Sequence, residues 1–454
     1  MPEHQALESR ISNSPFKVLA IRNPKVVEKI IEGRITPASE CYSEELNDPV
    51  FLRAQNVEEG YLNFSDAKRL SEEAFEAEPK AVLADGDLVL TIDGVLLGIA
   101  AIHRAGDQEC CISNHMVRLR HGVEANPEFL AWLLNSSLGQ KQIKRGISGS
   151  AIPGIRTDAI ERILIPLPST EIQRSLVADI EAARQSRKQK LSQADELLSS
   201  LDAYLLDQLG LSAPEESDRK VFSTRLHDIK TRFDVGYHTL RFQNLRRMIE
   251  DSSAYRVMTI GEICQTAPRS GFAAGRQNQA FNEEEGLPHV RPLNIKPFGE
   301  ITFEGTKYVP LESVRDDDLL IDNEVLFNNT NSMEWVGKSA VFTGDRKCAC
   351  SNHITRLLLK RDIAEPFFVA TLFNALRSLG FLGLLSTNFN NQAGINTETL
   401  SSLHIPVPTL MDQRTIVFEV QERRSNAQRL RQEAETEWEA AKTRFERQLL
   451  GEEA

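Results

Sequence analysis

Two stretches of this 454-residue chain are crowded with side-chain amides: Asn328-Asn329-Thr330-Asn331 and Thr387-Asn388-Phe389-Asn390-Asn391-Gln392. A carboxamide presents a donor and an acceptor in one plane, so Asn or Gln can pair bidentately with an adenine edge, and an interleaved aromatic can lie against a base or a thymine methyl. The same residues also build turns, so the amides alone leave both readings open. Arg269 and Arg276 flank a glycine-rich loop, Ser270-Gly271-Phe272-Ala273-Ala274-Gly275. In the first half of the chain the polar candidates are Thr91, Asp93, Lys144, Arg145, Ser148 and Ser150. Between 141 and 162, Lys141, Lys144, Arg145, Arg156 and Arg162 are opposed only by Asp158 and Glu161. Such a patch either holds phosphates, because counterion release depends on local contacts, or is a solvated face.

The remaining motifs do not assemble a reaction. Val336-Gly337-Lys338-Ser339 resembles the end of a phosphate-binding loop, but that loop needs a glycine five residues before Gly337, where Ser332 stands. Cys348, Cys350 and His353, echoed by Cys110, Cys111 and His115, invite a metal reading. Adjacent Cys110 and Cys111 cannot face the same side of a strand and no fourth ligand is evident, so a structural strand-end Ser-Asn-His is expected. There is no Asp/Asn-Pro-Pro-aromatic methyltransferase signature and no glycine-rich cofactor loop after a strand. The acidic runs Glu283–Glu285 and Asp316–Asp318 read as solvated turns. A non-catalytic protein is expected.

What must position these loops is a unit built twice. Ile165-Pro166-Leu167-Pro168 leads into Ser169-Thr170-Glu171-Ile172-Gln173, and Ile405-Pro406-Val407-Pro408 leads into Thr409-Leu410-Met411-Asp412-Gln413, at a constant offset of 240. The prolines end a strand, and Thr170 with Gln173 has capping-box spacing, which predicts a helix starting near Thr170. Ile172, Leu176, Ile180, Ala183, Leu191, Ala194, Leu198, Leu201, Leu205 and Leu209 then keep a 3–4 stripe broken only at Arg187. Ile416, Val420, Ala427, Leu430, Ala434, Trp438, Ala441, Phe445 and Leu449 do the same in the second copy. Each helix would be about 60 Å long at about 1.5 Å per residue. Upstream, Phe51-Leu52-Arg53-x-x-Asn56 matches His289-Val290-Arg291-x-x-Asn294, and Ser113-Asn114-His115 matches Ser351-Asn352-His353, both offset by 238. Amphipathic helices are expected at 126–138 and 365–379. Residues 1–15 read as polar and loose, and the first 50 residues match 213–288 poorly. An internal repeat outranks local readings, because it makes the chain one supersecondary unit used twice.

With 41% hydrophobic and 26% charged residues this is a globular composition, and neither a membrane span nor a secretory signal is legible, so a cytoplasmic protein is expected. Six scattered cysteines are no disulfide framework. The net charge is −12, and neither repeat is basic: residues 16–168 hold 17 Lys+Arg against 22 Asp+Glu, and 256–409 hold 14 against 17. Attraction of nucleic acid by bulk charge is therefore excluded, and any such binding must be local.

The whole repeat, from about Phe16 to Leu450, resembles the specificity subunit of type I restriction-modification systems. The resemblance is carried by the two IPxP-then-Glu/Asp-x-Gln junctions, the Gly-Ile-x-Thr segment at 154–157 and its echo at 394–397, and the two long helices, duplicated in register. It implies an α+β fold with two strand-rich target-recognition domains in tandem. Each is followed by a long helix, and the helices pair as an antiparallel coiled coil with pseudo-two-fold symmetry. The expected boundaries are 1–168 for the first domain, 169–210 for the central helix, 211–409 for the second domain with 211–235 as linker, and 410–454 for the C-terminal helix. The family implies a DNA-recognition subunit, each domain reading half of a split sequence. Partners would be double-stranded DNA, two methyltransferase subunits and restriction/translocase subunits, with no membrane. Cofactors would sit on those partners (S-adenosylmethionine, ATP and Mg) and none on this chain. Expected DNA contacts are Thr91, Asp93, Lys144, Arg145, Ser148 and Ser150 in the first domain, and Arg269, Arg276, Asn328, Asn329, Asn388, Asn390 and Asn391 in the second. The competing reading is a non-DNA coiled-coil adaptor that assembles a multi-subunit complex.

Overall fold

A computed structural model describes residues 2–148, 153–211, 221–223, 234–251, 254–275, 279–280, 282–344, 346–389 and 392–452. The chain divides into two compact units, 1–191 with 431–454 and 192–430. That division cuts through both long helices, Thr170–Gln208 and Leu410–Leu450, so each unit owns the start of one and the end of the other.

In the first unit an antiparallel sheet runs in the order Val27–Glu32, Met116–His121, Asp87–Thr91, Ala100–Ile102. In the second, Arg269–Ser270, Ile354–Leu357, Val325–Asn328 and Ser339–Val341 repeat that order. A second sheet in each unit contains a parallel pair. Cys110–Ile112 lies beside Val50–Leu52 with Cys111 opposite Phe51, and Ala349–Cys350 lies beside Gly286–Val290 with Ala349 opposite His289. The turn into the central strand needs a left-handed residue: Gly86 supplies it at φ +79°, and Asn323, at φ 68°, supplies it in the other copy. The carboxylate after that turn holds an arginine of the neighbouring strand. Arg120 grips Asp87 through two nitrogens at 3.0 and 2.9 Å, and Arg356 grips Glu324, both side chains almost wholly buried.

The IPxP segment is a strand in both copies. Leu164–Leu167 pairs with Lys17–Ala20, and His404–Val407 pairs with Arg256–Thr259. The glutamine that follows it is not half of a capping box. Ser169, one residue before the Thr170 that the spacing suggested, caps the first long helix, and Thr409 caps the second. Gln173 and Gln413 are completely buried instead. Gln173 Nε2 donates to the carbonyls of Pro168 (2.8 Å) and Glu124 (2.9 Å), and its Oε1 accepts from the backbone N–H of Asn126 (2.7 Å). Gln413 repeats the arrangement with Pro408, Ile363 and Glu365. Asn126 and Glu365 are themselves the N-caps of the domain helices Pro127–Asn135 and Pro366–Ser378, so each glutamine locks a long helix, a strand end and a domain helix together. Burying an amide requires this full satisfaction.

Three expectations need correction. Residues 1–15 are not loose: Pro2–Ser12 is a helix whose Leu7 and Ile11, four apart on one face, are buried with Leu138 and Leu450. Nor is the N-terminal region without a counterpart. Leu240–Glu250 is the equivalent helix, with Leu245 and Ile249 buried at the 238-residue offset from Leu7 and Ile11. The single helix expected at 126–138 is two, Pro127–Asn135 and Ser137–Gly146, because Ser136 turns its backbone extended and caps the second.

The long helices run antiparallel. In the first unit Arg187 pairs with Glu435 at 2.7 Å, and Lys190 with Glu433 and Glu437 at 3.3 and 2.5 Å. The break in the apolar stripe at Arg187 is therefore an ion-paired stretch. The end of the C-terminal helix packs on the first unit's domain helix, Trp438 edge-on to Trp132 at 5.6 Å and Phe445 against Phe129 at 6.0 Å. In the second unit Leu201 and Leu205 of the central helix, with Leu209 just beyond its end, join a core with Phe373, Ile416 and Val420.

Candidate nucleic-acid interface

Antiparallel order places the C-terminal end of one strand beside the N-terminal end of the next, so the segments leaving and entering neighbouring strands meet at one edge. In the first unit that edge gathers Gly33-Arg34, Ser113-Asn114-His115, Ile92-Asp93 and the hairpin Ile147–Ser148/Gly154–Ile155. Backbone hydrogen bonds chain them: Asn114 N–H to Arg34 (2.7 Å), Ile92 N–H to His115 (3.0 Å), Ile155 N–H to Ile92 (2.8 Å). Gly33 approaches so closely that a Cβ there would lie 2.1 Å from the Ser113 carbonyl. Asn114 and His115 are exposed, and His115 Nδ1 meets the Asp93 carboxylate at 2.8 Å.

The second unit repeats this backbone with other side chains. Asn352 N–H bonds Phe272 (3.1 Å), Asn329 N–H bonds His353 (3.0 Å) and Ile395 N–H bonds Asn329 (2.9 Å). A Cβ on Gly271 would again lie 2.1 Å from a carbonyl, that of Cys350. Here the hairpin is larger: Thr387–Phe389 and Gln392–Gly394 form a three-stranded sheet with Thr330–Asn331. Asn388 and Gln392 are exposed, the Phe389 ring is 49% exposed while lying against Gly394, and Met333, 45% exposed, touches Asn388 through its sulfur at 3.5 Å.

Of the expected contacts, Asp93 and Ser148 meet at the first edge, and Asn388 lies on the second. Lys144 and Arg145 end the helix that feeds the first hairpin; Lys144 is exposed, and Arg145 is ion-paired to Glu8. Arg269 is exposed on an edge strand and donates to the Asp317 carbonyl at 2.7 Å. Ser150, Arg276, Asn390 and Asn391 lie outside the described residues. Thr91, Asn328 and Asn329 were expected on the edge, and the structure buries them. Thr91 is buried with its hydroxyl on the carbonyls of Leu96 and Ile99. Asn328 is buried and donates to the Trp335 carbonyl at 2.9 Å. Asn329 is spent on Thr355 Oγ1 (3.0 Å) and the Asn352 carbonyl (3.1 Å). All three side chains are thus held inside the strand ends by bonds within the protein rather than presented on the edge.

His115, His353, Phe389, Asn331 and Met333 are edge residues that the expected contacts omit. The repeated Ser-Asn-His was the available signal. Its strand-end role holds, and among the described residues no group of three His, Cys, Asp or Glu is placed to hold a metal ion. Burial pushes the Cys348 thiol up to about 11 and the Cys350 thiol up to about 12, so neither is a thiolate at neutral pH. Lys338 is buried too, its ammonium donating to the carbonyls of Pro292 (3.0 Å) and Ile295 (2.9 Å) rather than waiting for a phosphate. Among the described residues no helix is long and apolar enough to cross a membrane.

A family model described as type I restriction modification DNA specificity domain matches residues 25–190 and 253–423. The chain is 28% identical over 155 residues to the putative type I restriction enzyme MjaX specificity subunit of Methanocaldococcus jannaschii, covering 33% of this chain and 34% of that protein. It is 27% identical over 179 residues to the type I restriction enzyme MjaVIII specificity subunit of the same organism, covering 38% and 41%. The matches thus span well under half the length of these curated relatives. A chain solved in work on complex assembly and conformational transition of the type I R-M system shares the fold over 96% of this chain and 98% of its own, with a TM-score of 0.59 at 18% identity.

Proposed function

The chain belongs to the type I restriction modification DNA specificity domain family, and from that premise we propose that it is the non-catalytic DNA reader of a type I complex. Each unit reads one half of a bipartite target, while the paired helices set the spacing and dock two methyltransferase subunits. S-adenosylmethionine, and ATP with Mg on restriction/translocase subunits, belong to those partners. One observation supports this reading above the others. The two units hold the same backbone edge, locked by the same hydrogen bonds, but tip it differently, with Asp93 and a short hairpin in one and Asn388, Phe389 and Met333 in the other. A constant scaffold with variable tips is what reading two different half-sequences requires, since base edges are distinguished by side-chain donors, acceptors and apolar contacts.

The test is a footprint of the chain assembled with the methyltransferase encoded beside it. The expected result is protection of two short tracts separated by an unread spacer, and methylation of adenines in that duplex. Methyl transfer or DNA hydrolysis by this chain alone, or an assembled complex that protects no sequence, would refute the reading.

A further inference from the structure

The first unit carries a cleft of about 590 Å³ between the helix Ser137–Gly146, the strand Lys17–Ala20 and the turn around Arg162, with Arg22, Arg145 and Arg162 on its walls and Glu8 at its rim. Gln142 fixes one wall, its amide bonded in both directions to the backbone of Leu164. Arg145 is paired with Glu8, and Arg162 with Asp158 at 2.9 Å; Arg22 has no ion-pair partner among the described residues. Exposed Lys141 and Lys144 lie on the same helix, so the surround stays cationic although the chain as a whole is acidic. The second unit has the corresponding cleft, but it is smaller, about 250 Å³, and differently lined: at the 240-residue offset Phe381, Leu385 and Ser402 stand where Lys141, Arg145 and Arg162 do. Its helix Leu240–Glu250 contributes Phe242 and Ile249, with Arg246 neutralised by Glu250 at 2.7 Å. The first cleft thus carries three arginines on its walls, whereas the second carries one, Arg246, facing Glu250.

The cationic cleft is continuous with the reading edge. Gly146 leads directly into the hairpin Ile147–Ser148, and Thr157, on the short helix Thr157–Ile160 before Arg162, donates to Glu32 beside Gly33-Arg34 at 3.3 Å. Guanidinium groups arrayed in an open cleft suit phosphate oxygens, which they bind by charge-assisted, fork-like hydrogen bonds. We infer that Arg22, Arg145 and Arg162 form a phosphate clamp that grips the DNA backbone flanking the half-site of the first unit, a function the second unit lacks. This rests on the chain being a DNA reader, and it names where the sequence-independent part of the affinity resides.

The experiment compares the unaltered chain with Arg22→Gln/Arg162→Gln, each assembled with its methyltransferase subunits, in binding to a target duplex across a salt series. Each neutralised phosphate contributes about 0.9 to the log–log salt slope. The double variant should therefore show a slope shallower by about 2 and weaker binding at low salt, with discrimination between target and mismatched duplex unchanged. Arg246→Gln, in the equivalent cleft of the second unit, should leave the slope as it was. An unchanged slope in the double variant overturns the clamp. So does a variant that no longer retains the methyltransferase while its assembled fraction binds DNA with the original slope, since the cleft would then seat an acidic protein surface. If the unaltered complex shows no salt-dependent binding at all, the DNA-reading function fails along with the clamp, which separates the two failures.

Discussion

Asn329 and Asn388 are the same residue type in the same unit, both in amide-rich runs, and they do opposite jobs. Asn329 satisfies Thr355 and a backbone carbonyl inside the strand end, whereas Asn388 stands exposed on the hairpin beside Phe389. Their alanine variants should therefore separate cleanly. Asn388→Ala is expected to keep its melting temperature and relax one position of the target by about 1–3 kcal/mol. Asn329→Ala should leave target choice alone and cost about 1–3 kcal/mol of stability, by stranding the buried partners it now satisfies. Thermal melts and a mismatch series measured on both variants check this pair, and the assignment fails if Asn329→Ala alters target choice. Gln173 and Gln413 make the same point for the family's most legible motif. A glutamine repeated at a constant offset invites a functional reading, yet both copies are buried clamps with no surface to read anything.

Among the elements, the helix Pro2–Ser12 turns an apparently formless start into a structural part. It is held by two apolar side chains, by Arg10 to Glu452 at 2.7 Å, and by Ser14 donating to the Leu449 carbonyl at 2.6 Å, so it closes over the end of the C-terminal helix. Ile11, with no exposed surface, is the anchor. Ile11→Ala should destabilise the first unit by about 2–4 kcal/mol, the usual range for emptying a buried branched side chain. Hydrogen exchange should show the loss as faster exchange in 440–450 as well as in 2–12. Exchange confined to residues 2–12 would mean that the helix covers the C-terminal helix without supporting it. The ion-paired stretch of the long helices flanks a buried apolar position, Ala434. Arg187 and Lys190 lie partly in solvent, where such ion pairs add little to stability.

For the whole molecule, length is the prediction. Seven residues inserted after Ser192 and seven after Arg431 keep the apolar stripe in phase and add about 10 Å to the helix pair, equal to roughly three base pairs. The lengthened chain is expected to recognise the same two half-sequences across a spacer longer by about three base pairs, read from methylation of a library of spacer lengths. A spacer preference identical to that of the unaltered chain would show that the helices do not set it.

The repeat, the long helices and the strand ends before them were legible from residues 165–209 and 405–449, because periodicity and duplication are one-dimensional properties that survive without coordinates. So was the strand-end role of Ser-Asn-His. The start of the repeat escaped, since Pro2–Ser12 and Leu240–Glu250 share, among the described side chains, two buried apolar positions, Leu7 with Leu245 and Ile11 with Ile249. Whether an amide stands exposed at an edge or fills a core was decided entirely in three dimensions. Burial of Asn328 and Asn329 depends on Trp335, Asn352 and Thr355, as the pairing of His115 depends on Asp93 and the cationic cleft on Arg22 meeting Arg145 and Arg162. A polar side chain carries its chemistry in the sequence, but its solvent and its partners come from chain segments that only folding brings beside it.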